Sequence, residues 1–114
     1  MIAVYGIKNC DTCRKALKWL EAEGVEYRFH DFRIDGLEVT AVSRWVQRAG
    51  WEKLLNRRGT TWRNLSEGEK DEVDEAKAKA LMTDNPTLIK RPVFEFDEEV
   101  VIGFGATEKA ALKA

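Results

Sequence analysis

Two hydrophobic periods alternate along the first 30 residues, and each predicts a different element. Met1–Tyr5 is short, apolar and rich in branched and aromatic side chains, which predicts a buried strand. A helix with apolar positions three and four apart should follow and end at Gly24. Val25–Phe29 alternates and predicts a second strand. This order predicts a parallel βαβ unit with a right-handed crossover. The apolar positions of the helix are Cys13, Ala16, Leu17 and Leu20.

The middle of the chain has helical periodicity. One apolar stripe predicts a helix that ends at Gly50, and residues 51–55 predict a short further helix. Ser66 followed by Glu69 is a capping-box pattern, so we expect another helix to start there and to continue until Pro86 stops it. The stripe before Gly50 consists of Val39, Val42, Val46 and Ala49.

The chain ends in strands again. Val93–Phe96 and Glu99–Ile102 predict an antiparallel hairpin, and Thr107 could cap a last short helix. The complete order is therefore βαβ, a helical block, and ββα. Without the block, this is the order of the thioredoxin-like fold, an α/β fold with a mixed four-stranded sheet. We predict a single domain over residues 1–114 with a helical insertion at about 37–84.

Composition and charge disfavour several classes of protein. Hydrophobic residues make up 44% of the chain and charged residues 34%, which excludes disordered and collagen-like chains. The net charge of −1 lacks the basic excess that nucleic-acid binding usually requires. The apolar runs are far shorter than the roughly 20 residues that span a bilayer, and the N-terminus lacks the pattern of a signal peptide. We therefore expect a cytoplasmic monomer with neither a membrane nor a nucleic-acid partner.

The two cysteines, Cys10 and Cys13, limit the chemistry. With His30 as the only histidine, one chain cannot assemble a Cys₄ or Cys₂His₂ zinc site, so no metal is expected. The C-x-x-C motif follows the first strand, which places Cys10 at the helix N-terminus and Cys13 one turn inside. The free N–H groups and the dipole of that terminus favour the nucleophilic thiolate, and Arg14 adds positive charge nearby.

Cys13 has two interpretations. It lies on the same helical face as Cys10 and can therefore resolve a mixed disulfide formed there. Alternatively, Cys13 faces the core, as free cysteines often do, and glutathione alone resolves Cys10. The pattern leaves both open.

Pro92 stands immediately before the third strand. Thioredoxin-fold proteins have a cis proline at this point, facing the cysteine, so we expect a cis Arg91–Pro92 bond, which costs only about 0.5–1 kcal/mol relative to trans. We expect Asn9 to cap the first helix. His30 is expected to hydrogen-bond to Asp31 or to the backbone at the end of a strand, rather than to shuttle protons.

Several motifs together resemble those of the ArsC-like family of arsenate reductases, which includes the Spx/MgsR-type regulators. The similarity covers nearly the whole chain and is closest to the YffB-type reductases. The motifs are Tyr5–Thr12, Phe29–Asp31, Asp35-Gly36, Arg58–Arg63, Asn85-Pro86 and Ile89–Pro92.

The resemblance implies roles for individual residues. Cys10 matches the family's nucleophilic cysteine. Arg58 and Arg91 match two of the three arginines with which arsenate reductases hold the oxyanion, and the third position falls near Gly103. The expected catalytic residues are Cys10, Cys13, Arg58 and Arg91, and the expected substrate-binding residues are Asn9, Arg14, Arg58, Arg91 and Pro92.

Two functions fit these residues. The first is a thiol-disulfide oxidoreductase in which Cys10 attacks a disulfide or a glutathione adduct, with glutathione as co-substrate and no bound cofactor. The second is a redox-sensing adaptor that, like the Spx regulators, would act through RNA polymerase. Arsenate reduction is less favoured, because a missing arginine removes a charge-assisted hydrogen bond worth about 1.5–3 kcal/mol.

Overall fold

The computed structural model describes residues 1–113, which group into two compact units: residues 1–36 with those from 91 onward, and residues 37–90. The predicted single domain stays a prediction. Among the described residues, no helix is both long and apolar enough to cross a membrane. The elements are β1 (Ile2–Gly6), α1 (Asp11–Ala22), β2 (Tyr27–Asp31), α2 (Val39–Ala49), α3 (Trp51–Leu54), α4 (Thr60–Arg63), α5 (Glu67–Lys70), α6 (Glu75–Asp84), a 3₁₀ turn (Pro86–Leu88), β3 (Val93–Phe96), β4 (Glu99–Ile102) and α7 (Ala106–Lys113).

The first unit contains a mixed four-stranded sheet with the order β2-β1-β3-β4. β1 pairs in parallel with β2, where Val4 lies opposite Phe29. It pairs antiparallel with β3, where Val4 lies opposite Phe94, and β3 forms the predicted hairpin with β4. The predicted α/β thioredoxin-like fold is confirmed. β2 begins at Tyr27, two residues later than Val25, where the alternation placed its start.

The core of the first unit anchors α1 against the sheet. Ala16 and Leu20 on α1 are fully buried and pack with Val4 and Phe94 of the sheet. Burial of a large apolar side chain stabilises a fold by about 1.5–3 kcal/mol. These contacts therefore anchor α1 against the sheet and hold its N-terminus, which carries the two cysteines, beside the end of β1.

The second unit is helical. Val42 and Trp45 of α2 are fully buried, as are Leu54 of α3 and Met82 of α6. α2 ends at Gly50, as predicted. Gly50 has a φ of 91°, a backbone angle that residues with a side chain rarely adopt.

The predicted continuous helix from Ser66 to Pro86 is wrong, because the helix is interrupted between α5 and α6. Ser66 forms the expected capping box with Glu69, which starts only the short α5. Glu72 has a φ of 49°, and the carboxylate of Asp74 then caps α6 by accepting the N–H of Lys77 at 2.9 Å. A second N-cap, Asp74, therefore starts a new helix four residues after α5 ends.

The last helix does not start at the predicted cap. α7 begins at Ala106, so Thr107 lies inside its first turn. The side chain of Glu108 instead reaches back and accepts the N–H of Gly105 at 2.8 Å. A backbone donor at the start of α7 is therefore satisfied by an acidic side chain of the first turn, and not by the predicted cap Thr107.

Asp31 ties the cysteine loop to the end of β2. This buried carboxylate accepts the backbone N–H of Lys8 at 2.8 Å, and it also accepts those of Arg33 at 2.7 Å and Ile34 at 3.1 Å. Burial raises the pKa of Asp31, but the three N–H donors together lower it by more. The net pKa of Asp31 is therefore below its usual range. The segment before Cys10 is thus held at its Lys8 end.

We expect Asp31→Ala to lower the free energy of unfolding at pH 7 by about 2–4 kcal/mol, because three donors lose their acceptor. Urea denaturation measures this, with the exposed Asp84→Ala as the control. Because the pKa of Asp31 is lowered by folding, its stabilisation is present above about pH 4 and is lost as pH falls through the folded-state pKa. The difference between wild type and variant should therefore shrink in acid. A difference that is small or independent of pH would contradict this role.

Candidate active site

The loop after β1 places Cys10 at the start of α1. The N–H of Cys10 donates to the carbonyl of Ile7 at 3.1 Å, and the carbonyl of Cys10 accepts the N–H of Arg14 at 2.9 Å. Cys10 is the N-cap residue, with extended backbone angles of −98° and 123°. The predicted cap by Asn9 is therefore wrong: Asn9 lies one residue too early, and no side chain forms a conventional cap hydrogen bond at α1.

The Cys10 sulfur is surrounded by donors. Partial burial raises the pKa of this thiol, but the backbone N–H and the thiol of Cys13, together with the Arg91 guanidinium, lower it more. The net effect is a Cys10 pKa below that of an ordinary cysteine. A lower pKa increases the fraction of nucleophilic thiolate at neutral pH.

Cys13 has the opposite environment. Its side chain is only 1% exposed, and burial raises the pKa of its thiol to about 11, against the weaker lowering effect of the Ile7 N–H. The negative charge on Cys10 raises it as well. Neither cysteine is in a disulfide, and a pKa of about 11 keeps Cys13 protonated at neutral pH, so its thiol can donate a hydrogen bond to the Cys10 sulfur. The two interpretations of Cys13 are therefore compatible in geometry, because the residue is both buried and adjacent to Cys10.

Arg91 and Pro92 lie just before β3. The peptide bond between them is cis, as predicted, and the side chain of Pro92 is fully buried. The carbonyl of Pro92 accepts the N–H of Gly103 at 2.9 Å. Gly103, near which the third arginine of arsenate reductases would fall, has a φ of 89°. This backbone conformation favours glycine.

Arg14 and Asn9, two of the expected substrate-binding residues, are close to the cysteines in the sequence and line one cavity. The Arg14 guanidinium forms an exposed ion pair with Asp11 at 2.5 Å. The arginine that lowers the pKa of Cys10 is Arg91. Asn9, Cys13 and Arg14 line a cavity of about 490 Å³ together with side chains of α1, β2 and the following loop. The structure thus brings Asn9 and Arg14 together around Cys13.

Arg58 belongs to the second unit, in the segment between α3 and α4. Its backbone N–H donates to the side chain of Asn56 at 3.0 Å. Its side chain lines a cavity of about 470 Å³ with Arg57 and Lys90. The catalytic and binding roles of Arg58 implied by the resemblance stay predictions.

His30 is confirmed as a structural residue at the end of β2. Its Nε2 lies 2.7 Å from the carbonyl of Gly36, and its ring packs against Tyr5 at 5.2 Å between centroids. Within residues 1–113, no group of three or more His, Cys, Asp and Glu side chains is placed to hold a metal ion.

The sequence pattern did not reveal two residues that shape the loop. Asp31 was considered only as a partner for His30, yet it binds three backbone donors, including Lys8. Gly6 lay outside the strand predicted to end at Tyr5, although it ends β1 and faces the Cys13 sulfur. An aspartate two residues after a predicted strand and a glycine directly before the cysteine loop are the only signals that pointed to them.

Comparisons with known proteins give similarity along nearly the whole chain. The model of the ArsC family matches residues 5–112. An uncharacterized protein of Haemophilus influenzae is 48% identical over 111 residues, which cover 97% of each chain. The solved structure of the YFFB (PA3664) protein superposes with a TM-score of 0.94 at 44% identity and covers 100% of both chains. The global transcriptional regulator Spx of Lactiplantibacillus plantarum is 22% identical over 110 residues, which cover 95% of this chain and 83% of that protein. The resemblance identified from the motifs is confirmed.

Proposed function

We propose that this chain, which belongs to the ArsC family, is a thiol-dependent reductase that uses glutathione as its reductant. The observation that carries this proposal is the environment of Cys10. Its sulfur lies at a helix N-terminus and interacts with the Cys13 thiol and the Arg91 guanidinium, which favour the thiolate. A thiolate beside a second thiol has the two groups that disulfide exchange requires.

The reaction starts at Cys10. Its thiolate attacks one sulfur of a mixed disulfide between the substrate and glutathione; the bond to Cys10 forms while the disulfide bond breaks. The thiolate that leaves takes a proton from water. Arg91 stabilises the negative charge on Cys10 before the attack.

Cys13 completes the exchange. Once Cys10 is covalently bonded, its negative charge is gone, and one of the effects that raise the pKa of Cys13 disappears. The Cys13 thiol then loses its proton to water and attacks the Cys10 sulfur, so the internal disulfide forms and the second thiolate leaves. Two electrons have moved from the pair to the substrate, and two glutathione molecules restore the thiols and leave as oxidised glutathione.

Substrate contacts are proposed for the residues around this pair. Asn9 and Arg14 line the cavity beside Cys13, and Pro92 holds the backbone next to Arg91. An arginine beside the thiolate favours an anionic partner, and glutathione carries two carboxylates. Arg58 is proposed as a further anion-binding residue on the resemblance alone.

Turnover of a glutathionylated peptide tests the proposal. The purified protein is incubated with the peptide and glutathione, and oxidised glutathione is followed with a coupled glutathione reductase. We expect sustained turnover. We also expect the oxidised protein to lose two hydrogen atoms in mass without dimer formation, as an internal Cys10–Cys13 disulfide requires. A folded protein that gives no turnover would contradict the proposal, and a glutathione adduct on Cys10 with a free Cys13 would reject the resolving role.

A second candidate function is a redox-sensing adaptor, and the similarity to a global transcriptional regulator favours it. Here oxidation of the cysteine pair would change a protein-binding surface, and RNA polymerase is the partner we propose. Binding of purified RNA polymerase to the reduced and the oxidised protein separates the two functions: binding in one state only, without turnover, supports the adaptor. Arsenate reduction is the least favoured function, because the position that corresponds to the third arginine of arsenate reductases falls near Gly103, where this chain has no arginine.

A further inference from the structure

The end of β1 approaches the first turn of α1 at one point. A Cβ atom on Gly6 would lie 2.5 Å from the Cys13 sulfur, a separation that real Cβ atoms essentially never show. Its next neighbours, the Cβ of Cys13 and a ring carbon of Phe29, would both lie at 3.6 Å, an ordinary contact. The backbone of Gly6 is part of a strand and lies outside the left-handed region that favours glycine. The Cys13 sulfur therefore accounts for the need for glycine here.

This space determines where the Cys13 sulfur sits. The N–H of Ile7, the residue after Gly6, interacts with that sulfur from the strand side, and Cys10 interacts with it from the helix side. Cys13 is also 1% exposed, so packing surrounds its side chain. A methyl group on Gly6 would have to displace the sulfur from this position, since the strand and the helix are both anchored in the core.

We propose that Gly6 is a positioning residue for the cysteine pair: its missing side chain leaves the space in which the Cys13 thiol lies against Cys10 and donates a hydrogen bond to the Cys10 thiolate. The catalytic consequence rests on the proposed reductase function, whereas the arrangement of the two thiols does not. The first consequence is a lower pKa for Cys10, and the second is faster closure of the internal disulfide.

The rate of Cys10 alkylation by iodoacetamide, measured against pH by peptide mass spectrometry, tests the proposal without any substrate. In Gly6→Ala the midpoint of this profile should move up by about one pH unit, because a displaced Cys13 no longer donates to the thiolate. Closure of the internal disulfide should slow by about tenfold, since the two sulfurs are no longer aligned. Gly68→Ala is the matched control, since a Cβ there meets nothing within 4 Å, and neither quantity should change.

A double-mutant cycle shows whether Gly6 acts through Cys13. With the sulfur removed in Cys13→Ala, the added methyl group of Gly6→Ala meets only ordinary contacts. The alkylation midpoint of Cys10 and the urea midpoint of the double variant should therefore equal those of Cys13→Ala alone. If Gly6→Ala alone fails to fold, recovery of folding in the double variant supports the proposal. The proposal is overturned if a folded Gly6→Ala leaves the Cys10 midpoint unchanged, if the shift is equal in both backgrounds, or if the double variant also fails to fold. A wild type without turnover that still shows these shifts would contradict the proposed function alone.

Discussion

Cys10→Ser is expected to lower the turnover of a glutathionylated peptide by at least about 1000-fold, to the rate without protein. A serine hydroxyl is not ionised near neutral pH, and the donors that lower the pKa of the Cys10 thiol cannot make it so. The oxygen is smaller than the sulfur and Cys10 is only half-buried, so the fold should persist.

Cys13→Ser is the matched control for this variant. It makes the same change one helical turn away, and glutathione from solution can still release a product held on Cys10. We expect it to retain part of the turnover and to accumulate a glutathione adduct on Cys10. Loss of turnover in Cys13→Ser together with near-normal turnover in Cys10→Ser would place the nucleophile on Cys13 and contradict the mechanism.

Arg91→Met is expected to lower the rate of the Cys10 reaction at pH 7 by about tenfold, because the thiolate loses a charge-assisted hydrogen bond. Its pH profile gives the sign. Loss of the guanidinium raises the pKa of Cys10, so less thiolate is present at neutral pH. The rate of the variant should therefore approach that of the wild type once the pH exceeds the Cys10 pKa of both proteins.

Arg28→Met is the control for Arg91→Met, since it makes the same change at an exposed position on β2. We expect it to leave the pH profile of Cys10 in place. An equal loss in Arg91→Met at every pH would mean that Arg91 contacts the substrate rather than sets the ionisation of Cys10.

The elements that position the site could largely be predicted from the sequence, because their periodicities are strong and their ends are marked. The apolar run before the cysteines gave β1, and the helical stripe through Leu20 gave α1. Gly50 marked the end of α2, and the alternation in Val93–Phe96 marked the hairpin. In each case local preference and tertiary burial agree, which is the condition under which patterns are reliable.

The errors arose where short polar contacts decide the backbone. Nothing in the apolar spacing shows that Asp74 starts a new helix, because the buried residues Ala78 and Leu81 simply keep helical spacing. The four residues of α4 carry no periodicity to detect. Asn9 is a good cap by type, but the turn closed by Ile7 shifts the cap position by one residue.

The parts of the site that depend on proximity in space could not be read from the sequence. The C-x-x-C motif placed Cys10 at a helix N-terminus, and this is confirmed. Arg91 was identified by family resemblance, since it lies 81 positions from Cys10 along the chain. The contact between Gly6 and the Cys13 sulfur joins a strand to a helix, and no spacing rule anticipates it.

The most direct test of the account is the pH dependence of Cys10 alkylation in the wild-type protein, with Cys13 followed in the same peptide map. The helix N-terminus, the Cys13 thiol and Arg91 together predict a Cys10 midpoint clearly below the value of about 8.5 for a free cysteine, while Cys13 stays unreactive through neutral pH. A Cys10 midpoint at or above the free-cysteine value would contradict the proposed thiolate and the reductase mechanism built on it.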